Sequence, residues 1–283
     1  MAKKASTAVA TRSKTGTAVA ANVPSYLKDK KMTGAGQPTD ASEFLIPMAR
    51  ILQTQSPEVI RGRSQFINGA VAGDIYIKGA PKPVIKGEAE GFAFQPCFRT
   101  LAWVEWLPRG KGGGGGTGFV GAHREKPADA KQRPDPQNPE RKIWVRKNGN
   151  TVVETRYVGG FLIQDDGAAW PLTLPFAGSG HTTAKQWNML TASKEIGGHK
   201  ADLWACYYRL KTYLRTKGPN SWYMFDVRDA GDDENGLAAT FWAPTNEDFE
   251  RGASLHKAMS KGEVGFNAAE AGADEPAGDN DKM

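Results

Sequence analysis

The stretch Leu203-Trp-Ala-Cys-Tyr-Tyr-Arg-Leu-Lys-Thr-Tyr-Leu-Arg-Thr-Lys217 holds the residues best suited to chemistry. Read as a β-strand, whose side chains alternate between two faces, it divides cleanly. Trp204, Cys206, Tyr208, Leu210, Thr212 and Leu214 fall on one face. Tyr207, Arg209, Lys211, Tyr213 and Arg215 fall on the other, and Lys217 extends it. The first face suits a core; the second interleaves rings with cations. Gly218-Pro219-Asn220 then turns the chain into a second strand, Ser221–Arg228. There Trp222, Met224, Asp226 and Arg228 share one parity, and Tyr223, Phe225 and Val227 the other. Unpaired bases stack on aromatic rings at about 1–3 kcal/mol each, and their phosphates need Lys or Arg along the same track. Such a face selects single-stranded nucleic acid over duplex. Lys185, Lys194 and Lys200 enlarge the basic zone, since residues 185–217 contain seven basic side chains and two acids. The expected binding residues are Tyr207, Arg209, Lys211, Tyr213, Arg215, Lys217, Trp222, Lys185 and Lys200. Parity further predicts Tyr207 and Tyr213 exposed, Tyr208 buried and the Trp204 ring in the core. The bland alternative is a solvated strand face, on which Tyr and Arg are ordinary.

Other chemistry lacks a pattern. The glycine run 112–118 has Lys111 before it rather than a Gly-Lys-Ser/Thr after it, so it is no phosphate-binding loop. The four histidines and two cysteines show no metal-ligand spacing, and Cys97 and Cys206 read as small buried hydrophobes. Gly178-Ser-Gly180 precedes His181 but lacks the Gly-x-Ser-x-Gly elbow. The expectation is a non-catalytic protein without metal or cofactor.

The elements that would carry the binding face are mostly strands. Phe92, Phe94, Phe98, Val104 and Trp106 share one parity of a strand bent near Pro96. Asn148-Gly149 between Ile143–Lys147 and Thr151–Val158 predicts a hairpin. Trp170–Phe176 reads as a further extended segment. One helix is predicted over Ala184–Ser193, capped by Thr182 or Thr183 and ended by Gly197-Gly198. Residues 42–52 read as a short helix or strand, with Pro47 leaving the choice open. The runs 109–118, rich in glycine, and 126–141, with four prolines, read as one long loop excursion over 109–141. The sum is a mainly β fold with few helices, a barrel or sandwich.

Charge is polarised along the chain. Residues 1–31 hold seven basic side chains and one acid, whereas residues 262–283 hold six acids and one lysine. Neither end has the large apolar residues needed to offset chain entropy, so both are expected to be disordered. The predicted organisation is a basic arm over 1–40, a β-rich nucleic-acid-binding domain over 41–261 and an acidic tail over 262–283. A basic body with an acidic tail predicts a polyanionic partner and a segment that competes with it. No run approaches the roughly 20 apolar residues of a membrane span, so no membrane partner is expected.

These features, with the segments 46–58, 72–76 and 104–109, resemble the single-stranded DNA-binding proteins of tailed bacteriophages. The resemblance implies an OB-fold-like barrel that coats single-stranded DNA during phage replication and recombination in the host cytoplasm. It also implies a tail that is displaced by DNA and then meets replication or recombination proteins. Tails of that family often end on an aromatic or hydrophobic residue beyond the acids, whereas this chain ends Asp281-Lys282-Met283. A phage virion or capsid-decoration protein is the competing expectation, being equally rich in β-structure, glycine and proline.

Overall fold

A computed structural model describes residues 45–80, 82–108, 118–136, 138–164, 168–218, 220–229, 245–262 and 264–266. The basic arm, most of the glycine run and all six acids of the tail lie outside the described residues. β1 (Leu45–Ile46) and β2 (Ala49–Ile51) flank Pro47, so residues 42–52 resolve as strand rather than helix where they are described. β3 (Ile75–Ile77) and β4 (Val84–Ile85) join β2 in a small antiparallel sheet. β5 (Phe92–Trp106) is the long strand predicted from parity, and β6 (Phe119–His123) pairs with its far end. β7 (Lys131–Asp135) and β8 (Asn138–Val145) form a hairpin where the prolines had predicted loop. Pro134 sits on β7, which ends the sheet order, the kind of strand on which proline is tolerated.

β9 (Thr151–Ile163) and β10 (Ala169–Ala177) follow, and β9 pairs with β5 along most of its length. The predicted Asn-Gly turn joins β8 to β9, with Gly149 at φ 89°. The β5–β9 register shifts between Pro96 and Phe98, which is the predicted bend realised as a bulge. Two glycines on β9 permit that close approach. A Cβ on Gly159 would stand 1.8 Å from the Phe98 ring, and one on Gly160 would stand 1.9 Å from the Gln95 carbonyl oxygen.

α1 (Gly180–Ala192) starts earlier than predicted, and neither Thr182 nor Thr183 caps it. Thr183 is buried and donates its hydroxyl to the Phe225 carbonyl. Gly197-Gly198 do not end the helix; they turn β11 (Glu195–Ile196) into β12 (His199–Lys200). A 3-10 turn over Leu203–Ala205 precedes β13 (Tyr208–Lys217), which pairs with β14 (Asn220–Asp229) as predicted. α2 (Asn246–Lys261) was not foreseen, although its signals are present: Thr245 accepts from the Asp248 N–H, and Gly262 closes it at φ 74°. β15 (Gly265–Phe266) pairs in parallel with β1, so structure continues past residue 262, where the acidic tail was expected to begin.

The main sheet runs β14-β13-β5-β9-β8-β7, with β10 added to β9 and β6 to β5. The fold is mainly β and antiparallel. No pairing among the described residues joins its edges, so the expected closed barrel is not formed. The reason lies in β5 and β9, which pair along most of their length and splay their neighbours toward opposite ends instead of closing a ring. α1 packs Trp187 against Phe94, Phe176 and Tyr208, with ring centroids 5.6–6.0 Å apart. α2 lays Leu255 and Met259 against a separate cluster of Ile46, Cys97, Phe98, Phe161 and Tyr207. β14 ends the sheet order, yet its backbone is met at its centre. The Gln53 side chain donates to the Tyr223 carbonyl (3.0 Å) and accepts from the Tyr223 N–H (2.9 Å). No helix among the described residues is long and apolar enough to cross a membrane.

Candidate nucleic-acid interface

Directly opposed residues of an antiparallel pair share a face, with Cβ atoms about 4.5–5.5 Å apart. The β13–β14 register opposes Arg209 to Arg228, Lys211 to Asp226, Tyr213 to Met224, Arg215 to Trp222 and Lys217 to Asn220. The five predicted residues that lie on β13 therefore meet the predicted Trp222 on one face. From Arg209 to Lys217 this face runs about 27 Å. The opposite face of the hairpin turns Leu210, Thr212, Phe225 and Val227 inward. A loop closes over it there, where the Thr212 hydroxyl donates to the Gly73 carbonyl at 2.6 Å.

On the outer face the rings are held rather than loose. The Arg215 guanidinium stands 5.7 Å from the Trp222 ring centroid, a cation–π distance. The Trp222 indole donates to the Ser179 hydroxyl at 3.1 Å, which fixes the ring beside the start of α1. Tyr213 is 40% exposed, and its hydroxyl lies 3.8 Å from the Met224 sulfur. The Arg209 guanidinium donates to the Glu90 carbonyl at 2.9 Å, leaving its charge uncancelled. Asp226 is the one acid of the face, and Arg228 donates to it at 2.8 Å. Arg228 was missed as a site residue although its parity with Trp222 was plain.

Tyr207 is not exposed on this face. The strand begins at Tyr208, and the alternation carries back to Tyr207, but α2 packs Leu255 and Met259 over the face there and leaves Tyr207 3% exposed. Its hydroxyl donates to the Asp248 carboxylate on α2. Tyr208 is buried as predicted. Leu214, expected in the core, is 49% exposed near the hairpin end. Trp204 lies in the turn, half-buried against His256 and Phe249. Of the outlying lysines, Lys194 reaches the hairpin at the end of β14. Lys185 is exposed on α1, Lys200 pairs with Glu195 at 2.7 Å on the β11–β12 hairpin, and Lys194 pairs with Asp229.

Both cysteines are buried, and burial pushes both thiols up, so neither is a thiolate at neutral pH. The most elaborate polar cluster surrounds Glu105, which is 2% exposed. It accepts from Asn150 (2.6 Å), Arg146 (2.7 Å), His123 (2.8 Å) and Asn148 (3.2 Å). Burial alone would raise its carboxyl, but these four donors outweigh burial and hold it down at about 2. Glu105 thus fastens the β8–β9 turn to β5 and β6. No linear spacing announced it, since its partners lie 18 to 45 residues away.

Comparison with known proteins gives one result that bears on this geometry. A model of the family described as Pam3 phage gp34-like protein matches residues 14–265. No curated protein and no solved structure matches the chain.

Proposed function

The chain belongs to the Pam3 phage gp34-like family and is thus a phage protein, and from that premise we propose that it binds single-stranded DNA through the outer face of the β13–β14 hairpin. The observation that carries the reading is the opposition of Tyr213, Arg215 and Lys217 to Met224, Trp222 and Asn220 on one ribbon. Rings at Tyr213 and Trp222 supply stacking surface, and Arg209, Lys211, Arg215, Lys217 and Arg228 supply phosphate contacts beside them. Such a face reads little sequence, because every base has a π-face. An open ribbon serves this chemistry without the closed OB-fold barrel that the family resemblance implies. The proposed setting is phage DNA replication and recombination in the host cytoplasm, without catalysis or cofactor. The acidic tail is proposed to compete with DNA for the basic face and to reach replication or recombination proteins once displaced.

The test is titration of a fluorescent poly-dT oligonucleotide over a range of salt. Binding is expected at low salt, with log K falling as log salt rises at a slope near −0.7 per phosphate contact. No binding at low salt would overturn the reading in favour of a virion component.

A further inference from the structure

A second aromatic pair stands at the other end of β5. Trp103 on β5 and Trp144 on β8 meet edge to face, with centroids 6.0 Å apart and planes at 88°. Both are half-buried rather than core residues. An edge-to-face contact occupies only one ring face of the pair. The Lys126 ammonium stands 3.8 Å from the Trp144 centroid, so a cation already rests on one indole. Lys142 shares the Trp144 face by alternation and is exposed, and Gln132 opposes Trp144 across the β7–β8 pair. Glu154 opposes Trp103 across the β5–β9 pair and is engaged by Arg156, and Glu105 and Asp129 are both engaged by Arg146. β7 and the first half of β8 lie in the proline-rich run 126–141 that composition marks as loop, whereas Trp144 falls in the predicted strand Ile143–Lys147. The period-two signal of that run was masked by its four prolines.

We propose that Trp103 and Trp144, with Lys126 and Lys142, form a second contact for single-stranded nucleic acid, distinct from the β13–β14 face. This rests on the single-strand reading above. Arg209 shares a face with Ala93 on β5, whereas Trp103, ten residues on and beyond the bulge, opposes Glu154 on the other face of the sheet, about 33 Å along the strand, so a nucleic-acid strand that meets both passes around the sheet. A long single strand engages both patches, whereas a short one occupies one. The second contact therefore adds by effective concentration, since the strand already held at the hairpin is tethered near the tryptophans.

The experiment compares poly-dT oligonucleotides of about 6 and about 30 nucleotides on the full chain, Trp144→Leu, Lys126→Ala with Lys142→Ala, and Tyr213→Ala. Near-ultraviolet circular dichroism checks the fold, and the lysine pair guards against a packing effect of the tryptophan change. The Trp144 and lysine variants are expected to lose about tenfold in affinity for the long oligonucleotide and to match the full chain on the short one. Tyr213→Ala is expected to weaken both. If the full chain binds the long oligonucleotide and both the Trp144 and lysine variants bind it equally well, the second contact is overturned while the hairpin reading stands. No binding by the full chain overturns both.

Discussion

Two neighbouring tyrosines and one exposed one separate the roles that side chains play here. Tyr213 is open to solvent, so Tyr213→Ala should leave the urea midpoint nearly unchanged. It should weaken oligonucleotide binding by about 1–3 kcal/mol, read by fluorescence titration. Tyr207 is the reverse case. Tyr207→Phe strips the Asp248 carboxylate of a buried donor, so it should lower folding stability by about 1–3 kcal/mol and leave DNA affinity unchanged. Glu105 supplies a pH dependence. Its folded carboxyl titrates at about 2, below its ordinary 4.5, so ionisation favours the folded chain. The stabilisation is complete above about 4.5 and is lost as pH falls from there toward 2. Glu105→Gln should therefore be less stable than the parent at neutral pH and should flatten the loss across that window, as measured by denaturant midpoints against pH.

At the scale of elements, the bulge where β5 meets β9 is the most demanding packing in the sheet. Gly160→Ala would drive a methyl group into the Gln95 carbonyl. The two strands must then part, at a cost of about 1–3 kcal/mol or more, visible as a lower thermal midpoint. Most of this frame was legible in the sequence. The strand over Phe92 to Trp106, the proline at its bend and the Asn148-Gly149 turn each leave a local pattern, although the bulge puts Phe92 and Phe94 on one face and Phe98, Val104 and Trp106 on the other, against the single parity expected. The shared face of the β13–β14 hairpin was legible too, because alternation carries through a regular hairpin. Tyr207 was misread because α2, whose Asp248 lies 41 residues further on, docks over its face, a long-range contact that leaves no local pattern. α2 was missed because its apolar residues are sparse, and only its ends, Thr245 and Gly262, carry clear helix chemistry. Glu105 and its donors could not be read at all, for their meeting is a product of three strands.

At the scale of the molecule, charge and topology meet where the chain leaves the sheet. β15 places residue 266 beside β1, and the acids at 270, 274, 275, 279 and 281 follow from that anchor. A deletion that removes residues 262–283 would also remove β15, mixing a structural loss with an electrostatic one. Removing residues 267–283 takes five acids and one lysine and spares the strand. That truncation should tighten DNA binding at low salt, and the gain should shrink as the Debye length falls to about 8 Å at physiological ionic strength. Equal affinity of the two proteins at low salt would show that the tail does not compete.

A protein that gathers many copies along one strand of DNA also gathers their sheet edges at high local concentration. An edge strand offers donors and acceptors in register, a template on which a neighbouring copy can crystallise into a continuous ribbon. Gln53 answers this with one amide, whose oxygen and nitrogen saturate both hydrogen-bonding valences of Tyr223 at the middle of β14. Thr183 satisfies the Phe225 carbonyl two residues on. A neighbour could zip onto β14 only by first evicting a glutamine from a bidentate seat, so this edge is guarded against fusing copies into a fibre.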